Sequence, residues 1–300
     1  MNKNESNNLV IEFSLLGLLA LLWGSSYLFI KVAVAEIPPI TLIAFRVSVA
    51  ALFLLIVLSW RKEKLPRDSK TWLMLLLQSF FNSIGAWTLL AWGQQYVDSG
   101  LASVLNSTSP IFVFLFTVLV TRHEATNSLK LLGAILGLLG VSLIVGVDVL
   151  AGLGQQVAGQ MAAITGAILY AFAAIYGKQF SHLTASVTAA GTMLWASIVL
   201  IPVSLALEQP WTLSPSVTAV LAATILAVFC TGCALLIYFR LVKTLGSMGV
   251  ASQAYLRAGV GVLLGMVFLG EQITPVIGFG LIAAILGVAA INMPIRKKVA

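Results

Sequence analysis

Apolar residues run along this chain in ten blocks, near 13–35, 40–60, 72–92, 99–121, 128–147, 158–179, 185–207, 216–239, 245–269 and 274–294. Each matches the roughly 20 residues that a helix needs to cross the hydrocarbon layer of a bilayer. Pro38-Pro39, Asn127-Ser128, Pro210 and Pro215 mark some of the joints between them. The first block is longer than the roughly 7–15 residues of a signal-peptide core, and no small-residue cleavage site follows it. It is expected to remain as span 1. The pattern predicts an all-α membrane protein of ten transmembrane helices.

Composition agrees with the pattern. The chain is 60% hydrophobic and 9% charged, with a mean hydropathy of +1.03, where soluble chains carry about 25% charged residues. The net charge of +7 is not a nucleic-acid footprint, because it falls in short clusters at the joints without interleaved aromatics. Fourteen of the 17 Lys and Arg residues lie at the N-terminus, at the C-terminus or in alternate joints. The intervening joints carry none, and Lys31, Arg46 and Arg257 lie within spans. Basic residues mark the cytoplasmic side, so both termini are expected there, in a bacterial inner membrane. Lys31 and Arg46 lie near span ends and are expected to extend their charged tips to water.

Shifting the sequence by 147 residues superposes its halves without a gap: Ala20 meets Ala167, Lys31 meets Lys178, Glu124 meets Glu271, Gly133 meets Gly280 and Gly140 meets Gly287. Each unit, 1–150 and 151–300, holds five spans, an odd number, so the second enters the membrane inverted. Inverted repeats are a mark of secondary transporters, whose binding sites lie at mid-depth between the repeats.

The segments "LLALLWGSSYLFIKVAV" (18–34), "SVLNSTSPIFVFLFTVLVTRHE" (103–124) and "GMVFLGEQITPVIGFGLIAAILGVAAI" (265–291) resemble the EamA-type members of the drug/metabolite transporter superfamily. Among those, the chain looks most like the bacterial aromatic amino-acid exporters of the YddG kind. The resemblance implies ten helices in two inverted five-helix repeats around a central cavity walled by spans 1, 3, 4, 6, 8 and 9, with spans 5 and 10 peripheral. One position departs from symmetry: Pro110 in span 4 corresponds to Arg257 in span 9.

Arg257 is the residue most in need of a reason. It sits near the middle of span 9, where a charge costs at least about 2.5–3.5 kcal/mol on insertion scales. All ten Asp and Glu residues lie near span ends or in joints, so no carboxylate at its depth neutralises it. Its guanidinium could pair with a substrate carboxylate through two hydrogen bonds and stack on a ring; the structural alternative is a bond to backbone carbonyls. Gln253 shares its face at i−4, and the repeat sets Asn106 and Pro110 opposite Gln253 and Arg257. Trp23 and Tyr27 in span 1, with Tyr170 opposite Trp23 in span 6, are candidate walls for a flat ring, or ordinary packing. Gln78 and Asn82 form an amide pair in span 3 that suits either substrate contact or interhelical bonding.

Other features carry structural readings. Glu124 and Glu271 suit helix N-termini. Gly133, Gly137, Gly140, Gly280 and Gly287 suit close helix contact or a dimer face. Cys230 and Cys233 form a C-x-x-C inside a span without further ligands, which suits small-residue packing better than metal binding or thiol oxidoreduction. No nucleophile elbow, zinc-protease motif or phosphate loop is present, so catalysis, a cofactor and ATP-driven pumping are unsupported. With no carboxylate at mid-depth, and His123 and His182 at joints, export is expected to run down the substrate's own gradient. The residues lead to the expectation of a monomeric carrier in the lipid bilayer with a cationic, aromatic-lined cavity for a small-molecule substrate; export of that substrate, aromatic or hydrophobic amino acids first, is what the resemblance implies. A drug or nucleotide-type metabolite exporter, and from another class an intramembrane thiol oxidoreductase, are the alternatives.

Overall fold

The computed structural model describes residues 3–93, 96–97, 99–122, 126–146, 150, 153–269 and 274–293, and among these no strand occurs. Among the described residues, nine helices are long and apolar enough to cross a membrane. A tenth apolar segment, 246–269, consists of Gly246–Ala251 and Gln253–Leu269. In chain order, span 1 is Lys3–Val34 and span 2 is Pro39–Arg61. Span 3 is 69–93 and span 4 is 99–121. Span 5 is Ser128–Val145, span 6 is Val157–Tyr176 and span 7 is Ala185–Leu207. Span 8 is Val217–Thr244, span 9 is 246–269 and span 10 is Pro275–Asn292. The apolar blocks are therefore the helices, with two notable extensions. Span 1 starts before Phe13, which brings Glu12 into the helix, and span 8 runs on to Thr244, which brings in Arg240.

Local chemistry explains where the helices start. Asp68, Asn127, Thr184, Ser216 and Thr274 each precede a helix and accept a hydrogen bond from its third residue, meeting one of the orphan donors of the first turn. Span 2 has Pro38 before it and Pro39 at its start, with no cap of its own. Its orphan donors, the Ile40 and Thr41 N–H groups, bond instead to the Glu208 carboxylate at the end of span 7, at 3.1 and 2.6 Å.

Span 5 packs along span 10, span 2 along span 7, span 3 along span 6, and span 1 against spans 8 and 9. The glycines decide the first of these pairs. A Cβ built on Gly133 would sit 2.8 Å from the Gly287 carbonyl oxygen, and one on Gly140 would sit 2.5 Å from the Ala284 nitrogen. The two backbones touch there because nothing intervenes. These glycines serve a contact within the chain rather than a dimer face.

Three spans contain π-helical turns: Phe80–Ile84 in span 3, Thr117–Thr121 in span 4 and Val228–Cys233 in span 8. Such turns insert a residue into the ladder and often accompany functional sites. Two spans are broken outright. In span 4, Pro110 has no N–H for the Asn106 carbonyl. The chain tightens there, so that Ser107 N–H bonds the Val104 carbonyl and Thr108 N–H the Leu105 carbonyl, before the helix resumes at Ser109. In span 9 the break falls at Ser252, whose hydroxyl donates to the Gly249 carbonyl at 2.6 Å and accepts from the Asn292 amide of span 10 at 3.1 Å.

Candidate functional site

The breaks in spans 4 and 9 open onto one cavity. It is small, with about 20 Å3 open to the centre of a water-sized sphere, and is lined by Trp23, Ser109, Tyr170, Ala174, Tyr238, Ala251, Gln253, Ala254 and Arg257. Ser109 and Gln253 are the first residues of the resumed helices, so two helix N-termini, the positive ends of their dipoles, meet its wall. Arg257 adds a full charge one turn further along span 9. Its guanidinium carbon lies 5.9 Å from the centre of the Trp23 ring, and Trp23 in turn lies 5.4 Å from Tyr238 at a tilt of 41°.

Two lining side chains carry a buried polar atom without a partner among the described residues. Gln253 is only 6% exposed, yet its Oε1 accepts no hydrogen bond, and Arg257 Nε donates none. They stand four residues apart on one helix face, where side chains are neighbours. An orphan acceptor beside an orphan cationic donor is costly in a folded protein.

Of the nine residues singled out in the sequence, Trp23, Tyr170, Gln253 and Arg257 line this cavity. Asn106 and Pro110 are buried at the span 4 break beside Ser109, and Asn106 Oδ1 is unpartnered. Gln78 and Asn82 are not among the lining residues. Gln78 is sealed between spans 3 and 6, donating to the Ala173 carbonyl at 3.1 Å. Asn82 lies in the π-helical turn with both amide atoms unpartnered. The side chains of Tyr27 and Lys31, and all of His123, Glu124 and Glu271, lie outside the described residues. Tyr238 was missed because the apolar block ends at Phe239; the helix continues to Thr244, which moves Tyr238 from the rim to the wall.

Arg46 requires a correction. The sequence reading sends its tip to water, but the residue is 8% exposed. Its Nε donates to Thr231 Oγ1 at 2.6 Å and Nη2 to the Cys230 carbonyl at 3.4 Å. The guanidinium carbon lies 4.1 Å over the Trp87 ring. The π-helical turn of span 8 makes this possible, since both Cys230 and Thr231 belong to it. Cys230 and Cys233 are free thiols, the first buried, and a Cβ on the intervening Gly232 would meet the Phe53 ring at 2.5 Å.

Away from the cavity, the ends of the spans are tied by polar contacts. Glu12 in span 1 accepts from Arg240 Nη2 and from Thr244 Oγ1 of span 8, both at 2.8 Å. At the opposite end, Glu36 accepts from the Ser216 N–H and hydroxyl at 2.6 and 2.7 Å. Those two bonds, the backbone one first, hold the Glu36 carboxyl below the usual range.

A multi-pass membrane protein with a charged cavity bounded by interrupted helices has the build of a transporter. The chain belongs to the EamA-like transporter family, whose model matches residues 11–146 and again 157–293. Its relatives include the uncharacterized inner membrane transporter YedA of Escherichia coli K12, 29% identical over 88% of this chain and 85% of that protein. An uncharacterized transporter of Archaeoglobus fulgidus is 30% identical over 81% of this chain and 83% of its own length. A crystal structure at 17% identity superposes with a TM-score of 0.80, covering 96% of this chain and 97% of the other. That likeness concerns the fold.

Proposed function

We propose that this protein is an inner-membrane secondary transporter that exports small organic metabolites, aromatic or other hydrophobic amino acids first among them, by alternating access. The observation that carries the substrate reading is the adjacent pair of orphans, Gln253 Oε1 and Arg257 Nε. An α-amino acid presents a carboxylate and, one carbon away, an ammonium. Arg257 supplies charge-assisted donors for the first, and Gln253 supplies an acceptor for the second. The rings of Trp23, Tyr170 and Tyr238 offer an apolar, aromatic wall to the side chain. The names of the relatives support membrane transport in the inner membrane.

Alternating access is the natural consequence of two inverted halves, 1–150 and 151–300. Contacts that exchange under the shift of 147 support this reading. Gly133 against Gly287 becomes Gly280 against Gly140, and the built Cβ lies 2.8 Å from the facing carbonyl in both. The π-helical turns Phe80–Ile84 and Val228–Cys233 also correspond. So do the breaks in spans 4 and 9, to within a few residues.

The test is counterflow in proteoliposomes holding the purified protein, with a panel of labelled amino acids and no ion gradient. L-phenylalanine should exchange faster than L-alanine. A protein that moves none of the panel, or requires a pH gradient, contradicts the reading.

A further inference from the structure

Arg46 is a buried guanidinium with no carboxylate paired to it among the described residues, and it is not used by the cavity around Arg257. Its bonds to Thr231 and Cys230 engage Nε and Nη2. Of its five N–H donors, those on Nη1 bond nothing among the described residues. Trp87 covers one face of the guanidinium at 4.1 Å. Cys230, whose carbonyl Arg46 engages, has its thiol 3.8 Å from the Ser25 hydroxyl, two residues along span 1 from Trp23 of the cavity wall.

Depth distinguishes the two arginines. Arg46 is the eighth residue of span 2, about 10 Å from the Pro39 end at 1.5 Å per residue. Arg257 stands about 18 Å from the corresponding end of span 9 by the same measure. Beyond Arg46, towards that face, Ala33, Ile37, Leu42, Ala222 and Leu226 form a separate buried apolar cluster of span 1, the joint after it, and spans 2 and 8. A carboxylate leaving Arg257 for that face must enter apolar surroundings, at a cost of several kcal/mol if no cation accompanies it. A site that holds an anion firmly must also hand it on, or transport stalls.

We propose that Arg46 is a second carboxylate-binding position, past Trp23 on the route from the Arg257 cavity to the face bearing Pro39 and Val217. It takes the substrate carboxylate on its Nη1 edge while Thr231 and Trp87 hold the guanidinium in place. The inference rests on the proposed export of carboxylate substrates. The π-helical turn in span 8 then has a use: it supplies the Cys230 carbonyl and the Thr231 hydroxyl that orient the group.

The test measures L-phenylalanine and L-phenylalaninamide, which lacks the carboxylate, with wild type, Arg46→Met and Arg46→Lys in proteoliposomes. Equilibrium binding of labelled L-phenylalanine and the melting temperature are read on the same preparations. Arg46→Met should cut L-phenylalanine counterflow at least tenfold and lower the acid-to-amide flux ratio, while equilibrium binding changes less than threefold. Arg46→Lys should recover part of the flux, having the charge without the fork. Equal loss for acid and amide, or loss of binding and melting temperature together, would make Arg46 a structural clamp and overturn the proposal. Unchanged flux in Arg46→Met would overturn it as well. A wild type that moves no L-phenylalanine defeats the export reading itself, which separates the two failures.

Discussion

Replacing Arg257 with alanine separates a residue that reads substrate from one that holds helices together. Among the described residues its side chain makes no hydrogen bond, and Nε is buried without a partner. Its ring contact with Trp23, at 5.9 Å, is at the outer limit of cation–π attraction and contributes about 0.5 kcal/mol. Against that, an unsatisfied buried donor costs about 1–3 kcal/mol. Arg257→Ala should therefore leave stability unchanged or raise it by about 1–2 kcal/mol, a few degrees in melting temperature for a chain of this size. Binding should behave oppositely. Two hydrogen bonds to a charged group contribute about 1.5–3 kcal/mol each. At about 1.4 kcal/mol per tenfold, their loss weakens L-phenylalanine binding by roughly a hundredfold or more. Arg257→Lys should fall between, since an ammonium cannot make the bidentate pair. The assay is equilibrium binding of labelled L-phenylalanine to purified variants, with the melting temperature on the same samples. A variant that melts ten degrees lower while binding within threefold of wild type would refute the argument.

Three further outcomes are expected. Gly140→Ala should lower the melting temperature sharply, because its Cβ would meet the Ala284 nitrogen at 2.5 Å, a clash of backbones costing about 1–3 kcal/mol or more. Gly17→Ala, with nothing within 4 Å, should raise stability by up to about 1 kcal/mol through helix propensity; equal melting temperatures would contradict the close packing of spans 5 and 10. The Glu36 carboxyl is held low by Ser216, so its contribution is full above the unfolded value of about 4.3 and fades as pH falls through the lower folded value. Glu36→Gln should thus melt earlier at pH 7 and show a flatter pH dependence below pH 5 in thermal scans; an unaltered profile would remove the role. Reporters inserted at residue 65 and fused after Ala300 should read cytoplasmic, and one at 152 external; a periplasmic C-terminus would contradict the orientation and the inverted repeat with it.

Span positions were legible in the sequence because a run of about 20 apolar residues has few other uses. Pro110 announced a break in span 4, since proline has no N–H to give. The break in span 9 had no such residue. It depends on Ser252 bonding within its own turn and on Asn292 arriving from another helix, which a linear pattern does not reveal. Arg46 failed for a related reason. Its distance from the helix end suggested an escape to water, whereas Trp87 and the irregular turn of span 8 fill that route and offer partners inside. Gln78 and Asn82 shared the polarity expected of a site, but Gln78 is sealed against span 6 in this structure. Polarity at mid-depth narrows the candidates. Which side of its helix faces the cavity is decided by the neighbours.

The two halves, each matched by the family model, share backbone contacts and differ in chemistry. Under the shift of 147, Glu12 corresponds to Gly159, Arg240 to Gly93 and Thr244 to Val97. The same crossing is made twice. Between spans 1 and 8 it is an ion pair and a hydroxyl bond, at 2.8 Å each. Between spans 3 and 6 it is apolar and close: a Cβ on Gly93 would meet the Gly159 carbonyl at 2.9 Å, and one on Gly159 would meet the Val97 side chain, just past span 3, at 2.6 Å. The polar contact, with the Arg240 side chain 52% exposed, is weak and can exchange with water, whereas the glycine contact has no such substitute partner. In the same way Pro110 breaks one helix without charge while Arg257 charges the other. On the proposed export reading, the shared backbone plan would serve the two ends in turn, and the unlike side chains would orient a carboxylate and let one end part more readily than the other.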